Sequence, residues 1–137
     1  MNTPEIVYID AYAHHPQEIA ATIESIKYLY PNKRVVGIFQ PHLYTRTRDF
    51  AAEFAESLSK LDKVILLDIY PAREEPIPGV TSEIIFDKIN APEKVMLHKE
   101  ELMSYLEKEQ LDVLVTFGAG DIDRFIEPIR QLVAARR

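Results

Sequence analysis

Five short apolar runs punctuate the chain, at Ile6 to Asp10, Val35 to Phe39, Val64 to Ile69, Lys94 to His98 and Val113 to Phe117. They are near-continuous rather than alternating, the pattern of strands buried on both faces of a parallel sheet. Between them the hydrophobic period lengthens. Ile19, Ile23, Ile26 and Leu29 or Tyr30 recur at helical spacing, with Pro16 at a favoured first-turn position and Pro31-Asn32 as the stop. A second helix is expected from about Thr47 to Lys60, with Phe50, Phe54 and Leu58 on one stripe, and a third from Ser82 to Ile89. Leu102, Met103 and Leu106 mark a fourth, and Asp121 caps a fifth after the last strand. Pro128 falls inside that fifth helix, where a missing amide donor and a ring clash kink it or delay its regular start. The order implies an α/β fold, a doubly wound and mainly parallel sheet of about five strands flanked by helices, with right-handed crossovers.

One long irregular connection runs from Tyr70 to Thr81, and its prolines, Pro71, Pro76 and Pro78, stiffen it. No linker, repeat or low-complexity stretch divides the chain, so residues 1–137 read as one domain. A chain of 137 residues can remove roughly 70% of its extended surface from water, enough for a real core without staples. The absence of cysteine excludes disulfides and thiolate metal sites and fits a reducing compartment. No apolar run approaches a membrane-spanning length and no signal segment is visible, so a cytoplasmic protein without membrane contact is expected. The net charge of −6 argues against nucleic acid as a partner, because phosphate backbones are held by excess Lys and Arg. Any anion must therefore meet a local positive patch.

Candidate chemistry collects where strands end. Asp10, Tyr12, His14 and His15 follow the first strand, and Pro16 then opens a helix. Gln40, His42, Tyr44, Thr45, Arg46, Thr47 and Arg48 follow the second. Open α/β sheets bind ligands outside the carboxyl ends of their strands, so two clusters on consecutive strands point to adjacent strand ends and one shared site. The plain reading of the His14-His15 pair is two solvated or locally bonded imidazoles, since only geometry makes a base or a ligand. A zinc site is not expected, because neighbouring residues point apart and His42 is the only third imidazole nearby. Arg46 and Arg48 are cations in a first helical turn, where they oppose the helix dipole unless an anion compensates. A bound carboxylate or phosphate would do so, and Arg suits two-point recognition of a carboxylate. Gly118-Ala119-Gly120-Asp121 lacks the third glycine of a dinucleotide fingerprint and reads as a tight strand-to-helix turn. No GxxxxGK[ST] phosphate loop is present.

Taken in order, Asp10 to Pro16, Phe39 to Asp49, Asp68 to Glu74 with Pro76-Ile77-Pro78-Gly79, and Gly118 to Ile122 resemble the C-terminal domain of the Mur ligase family, in its UDP-N-acetylmuramate:L-alanine ligase (MurC) branch. The double-histidine-proline and the Phe39-Gln40-Pro41-His42 stretch are the features of the alanine-adding branch. The resemblance implies a Rossmann-like third domain and leaves the N-terminal UDP-sugar domain and the central ATPase domain outside this chain, as partners in cis. It further implies that the whole enzyme uses ATP with Mg2+ to phosphorylate the carboxylate of UDP-N-acetylmuramate, after which the amine of L-alanine attacks the acyl phosphate. Carried over by position, Arg46 binds the alanine carboxylate with His42 beside it, and His14 lies near the attacking amine. Tyr12 forms a wall of the alanine and nucleotide pocket, and Asp10 belongs with it on the nucleotide side. The fragment alone is expected to be inactive and to hold no cofactor tightly. Two positions depart from the pattern. Ala11 stands where the family usually has the acid that helps hold the nucleotide, and Leu43 stands where it often has arginine, which leaves more of the anion recognition to Arg46.

An alternative from another class is a stand-alone receiver-like signalling module, with Asp10, Asp68 and Thr116 near a phospho-acceptor site, or a protein-interaction module. The receiver pattern wants an acidic pair at the first strand and a lysine after the last. Ala11 and Gly118-Ala119-Gly120 stand there instead.

Overall fold

The computed structural model describes residues 6–11, 13, 15–71, 73–118 and 121–136. Five strands, β1 (Val7–Asp10), β2 (Val35–Gln40), β3 (Lys63–Leu67), β4 (Glu93–Leu97) and β5 (Val113–Gly118), form one sheet in the order β1-β5-β2-β3-β4, every pairing parallel. The helices are α1 (Pro16–Leu29), α2 (Tyr44–Leu58), α3 (Glu83–Phe86), α4 (Leu102–Lys108) and α5 (Ile126–Arg136). This is the expected α/β fold.

Alternate residues of each central strand feed two cores. Val35 and Phe39 of β2, with Val64, Leu66, Val113, Val115 and Phe117, pack under Ile19, Ile23 and Ile26 of α1, Phe54 and Leu58 of α2 and Ile85 of α3. Val36, Ile38, Ile65, Leu67 and Leu114 face the other way, toward Leu102 and Leu106 of α4 and Ile129 and Val133 of α5. Burial on both faces explains why the strands read as continuous apolar runs. Each such side chain fully removed from water contributes about 1.5–3 kcal/mol, and the sheet is held chiefly by this sum.

The expectation of adjacent ends for β1 and β2 needs correction. β5 is inserted between them, with Val113 registered against both Val7 and Val35. The crossover through α1 skips a strand position that the last strand fills, and strand spacing along a sequence carries no record of such a skip. The two clusters nevertheless share the carboxyl edge, flanking the end of β5. The same order opposes the receiver-like arrangement, because β1, which ends in Asp10, and β3, which precedes Asp68, are separated by two strands.

The helices differ in detail from the periodic reading. α2 starts at Tyr44, earlier than Thr47, because Leu43 at φ 71° ends the extended run and its carbonyl accepts from both the amide and the hydroxyl of Thr47, at 3.2 and 2.8 Å. Phe50 breaks helical geometry at φ −121°, ψ 20°, which turns it out of the expected stripe and leaves it 47% exposed. α3 is regular only from Glu83 to Phe86, and the stretch to Ile89 closes by i→i−3 bonds from Lys88 to Ile85 and from Ile89 to Phe86. Asp121, expected as a cap before the fifth helix, is already the first residue of a 3-10 segment, Asp121–Phe125. Regular α5 starts only at Ile126, so Pro128 falls in its first turn, where no intrahelical bond needs its amide. Among the described residues, no helix is long and apolar enough to cross a membrane.

Candidate functional site

At the β1 end, parallel register sets Asp10 against Thr116 of β5. The buried Thr116 hydroxyl donates to the Asp10 carboxylate at 3.0 Å, which leaves the Tyr8 hydroxyl, also at 3.0 Å, to donate to Thr116. Burial pushes the Tyr8 hydroxyl up from its ordinary pKa despite the bond to Thr116, so it stays a donor. Asp10 is thereby held at one oxygen while its side chain faces solvent. Past Asp10 the chain stays pinned to β5, with Ala11 N–H donating to the Thr116 carbonyl at 3.0 Å and Gly118 N–H to the Ala13 carbonyl at 2.8 Å. Tyr12 and His14 lie outside the described residues. His15 precedes α1, its backbone amide donating to Glu18 at 3.1 Å. The Pro16 carbonyl then accepts the Ser57 hydroxyl at 2.7 Å, tying the start of α1 to α2.

The centre of this edge is close-packed backbone. Gly118 sits at φ 122°, and a Cβ there would come within 2.7 Å of the Gln40 carbonyl oxygen. Gln40 is itself buried, and its side-chain oxygen accepts the Ile122 amide at 2.8 Å. The β2 end, the β5 end and the start of the last helical segment thus form one rigid unit.

At the β2 end, His42 bridges to Tyr70 in the long connection, and their rings stack at 5.7 Å with planes 20° apart. Leu43 N–H donates to the Tyr70 carbonyl and Tyr70 N–H to the Pro41 carbonyl, both at 2.8 Å. This ladder fixes the otherwise unfavourable positive φ of Leu43. The cationic first turn of α2 does have the anion its dipole requires, but the chain itself supplies it. One Glu74 oxygen accepts the amides of Tyr44 and Thr45 at 2.6 and 3.2 Å, and the other accepts the Thr45 hydroxyl at 2.6 Å. The Thr45 hydroxyl bond, aided by the two amides and the charge of His42, holds the Glu74 carboxyl below its ordinary range. The inference of an external anion from the dipole alone is corrected accordingly.

The two arginines fare differently. Arg48 is exposed and pairs with Asp49 at 2.9 Å. Arg46 is half-buried, and its side chain makes no hydrogen bond or ion pair with any described residue. The structure therefore brings His42, Arg46, Tyr70 and Glu74 together at one strand-to-helix junction and leaves Asp10 across β5 from them. A cleft of about 200 Å³ opens beside this junction, lined by Tyr44, Asp68, Ile69, Val80, Thr81 and Ser82. Asp68 at its lip pairs with His98 at 2.6 Å. A larger hollow of about 350 Å³ lies between the α1 start and α2, lined by His15, Pro16, Gln17, Phe50 and Glu53. Among the described residues no group of three or more His, Asp or Glu gathers as a metal site.

Residue-by-residue reading of the chain named Thr116, Gln40 and Glu74 but missed their bonds, Thr116 to Asp10, Gln40 to the Ile122 amide and Glu74 to the start of α2. The first two carried a signal, being polar groups in or ending otherwise apolar runs. Glu74 carried none in spacing, since only the folded loop brings it to α2.

Residues 1–120 match the family described as "Mur ligase, glutamate ligase domain". A UDP-N-acetylmuramate–L-alanine ligase of Parabacteroides distasonis is 56% identical over 97% of the chain, which spans only 29% of that relative's length. The crystal structure of a UDP-N-acetylmuramate-alanine ligase from Thermotoga maritima is similar over 90% of the chain and 26% of its own, with TM-score 0.62 and 28% identity. A solved domain of a related putative ligase from Haemophilus ducreyi shares the fold, at TM-score 0.64 and 19% identity, over 98% of this chain and 100% of its own.

Proposed function

We propose, from the premise that this chain belongs to the Mur ligase glutamate-ligase-domain family, that it is a single domain that brings L-alanine to an ATP-dependent, cytoplasmic ligase acting on UDP-N-acetylmuramate in cell-wall precursor synthesis. The observation that carries this reading is Arg46, a half-buried guanidinium free of described partners on a rigid junction at the carboxyl edge. A group so placed suits the carboxylate of an amino acid, gripped through parallel charge-assisted hydrogen bonds. His42, fixed against Tyr70, walls the same junction and limits the room beside that carboxylate.

In this reading the muramoyl carboxylate becomes an acyl phosphate at the expense of ATP, on domains outside this chain. The alanine amine, held through Arg46, attacks the acyl carbon. The C–N bond forms, phosphate leaves with the C–O bonding pair, and the amine gives up a proton. His14, as a neutral imidazole, accepts that proton or orients the amine. Tyr12 walls the pocket, and Asp10, held by Thr116, stands on the nucleotide side. The phosphates of ATP and Mg2+ belong in this reading to the central domain, as the family resemblance implies. Holding the amine near the acyl phosphate is the main contribution of the domain, and proximity of this kind is lost when the domains are separated.

Release of inorganic phosphate tests the proposal. The full-length protein is expected to release it only when ATP, UDP-N-acetylmuramate and L-alanine are all present, and the 137-residue chain to release none. Release by the isolated chain, or release from the full-length protein without need of alanine, would overturn the assignment.

A further inference from the structure

We infer that Glu74 is a positioning residue for alanine recognition, an internal carboxylate that fills the amide site at the start of α2 and so reserves Arg46 for the substrate. The inference rests on the function proposed above and adds to it the residue that sets where the substrate carboxylate binds.

The first turn of α2 offers two sites to an anion. One is the set of free amides at the helix start, and the other is the Arg46 guanidinium in the same turn. Glu74 occupies the first, taking Tyr44 N–H, Thr45 N–H and the Thr45 hydroxyl on its two oxygens. With those donors occupied, a second carboxylate gains nothing there and meets repulsion from Glu74. Arg46 is left as the attractive group.

Glu74 also makes that free cation tolerable. A guanidinium in a first turn opposes the helix dipole, and the Glu74 charge compensates without pairing with it. The placement of Glu74 is itself rigid. Its amide donates to the Pro71 carbonyl at 2.9 Å, and the same loop supplies Tyr70, whose backbone bonds Pro41 and Leu43 and whose ring stacks on His42. One side chain thus locks the long connection onto the junction that carries His42 and Arg46. Removing it frees the α2 amides to compete for the substrate carboxylate and loosens the loop.

The test is steady-state kinetics of the full-length ligase carrying Glu74→Ala or the isosteric Glu74→Gln, together with amide NMR spectra of the 137-residue chain. Glu74→Ala is expected to raise the alanine KM about tenfold, with the KM values for ATP and UDP-N-acetylmuramate and kcat changed by less than about threefold. Glu74→Gln keeps an acceptor for the amides and should recover part of the loss. In the spectra, the Tyr44 and Thr45 amide protons should move upfield in Glu74→Ala while core amides such as Val115 stay in place. If those amides move and the alanine KM does not, the contact is structural only and the inference is wrong, while the proposed function stands. If neither moves, the clamp itself is absent and the inference also fails. Lack of alanine dependence in the unmodified full-length enzyme would instead remove the underlying function.

Discussion

Gly118 shows how tightly single residues are specified at the carboxyl edge. Its φ of 122° is open to glycine, and the Gln40 carbonyl lies where a Cβ would go. Gly118→Ala therefore combines backbone strain with a backbone clash that no side chain can relieve. A loss of about 1–3 kcal/mol in urea denaturation is expected, and a loss under about 0.5 kcal/mol would contradict the packing. The glycine was visible in the sequence only as part of a turn. Its conformational demand arises from the approach of Gln40, a contact between β2 and β5 that spacing does not encode. Arg46 and His42 were legible as residue types at a strand end, and the structure adds the reason for their placement through Tyr70 and Glu74.

At the scale of elements, the strands emerged from the sequence because burial on both faces imposes a long apolar run. The α5 start was legible too, since Pro128 acts through local covalent geometry. Helix ends and kinks were less so. Phe50 has the spacing of a core residue, yet the break at its own φ/ψ turns it outward, and tertiary contacts at Leu43 and Ser57 decide where α2 begins and leans. The β3–β4 edge carries a pH-dependent link of the same tertiary kind. The Asp68 hydrogen bond, followed by its charge, raises the His98 pKa above its ordinary 6.5. A raised value means the contribution is fully present below pH 6.5 and is lost as pH rises through the folded value. The wild-type urea midpoint should therefore fall more than that of His98→Gln as pH rises from below 6.5 through the raised value. Parallel pH profiles for the two proteins would exclude the pair as a contributor.

The whole molecule separates a stabilising edge from a chemical one. At the amino ends of the strands, Lys63, 7% exposed, bonds Glu109 at 2.9 Å and the Tyr105 hydroxyl, while Arg34 reaches Glu109 at 3.2 Å and Glu93 at 3.0 Å. Burial works to raise the Glu109 carboxyl, but Lys63 and then Arg34 outweigh it and hold the pKa below the ordinary 4.5. That contribution is present above pH 4.5 and lost as pH falls through the depressed value. Glu109→Gln leaves Lys63 short of a charge partner, and a loss of about 2 kcal/mol at neutral pH is expected in urea denaturation, shrinking as the wild type is acidified. A loss that stayed constant down to strong acid would show that the carboxylate charge is not what holds this edge. With the amino edge so fastened, the carboxyl edge is free to carry polar groups that no core requires, and sheet order brings the β1 and β2 clusters to either side of β5. Sequence continuity suggested that these clusters were neighbours, and only the insertion of the last strand shows how they share an edge.

The claim on which the account turns is that Arg46 receives the carboxylate of the incoming amino acid. The direct measurement is the alanine KM of the full-length ligase with Arg46→Ala and Arg46→Lys. Loss of well-made charged hydrogen bonds predicts a rise of about 10- to 100-fold for Ala and a smaller one for Lys, with ATP and UDP-N-acetylmuramate requirements little changed. An alanine KM unchanged in both variants would contradict it.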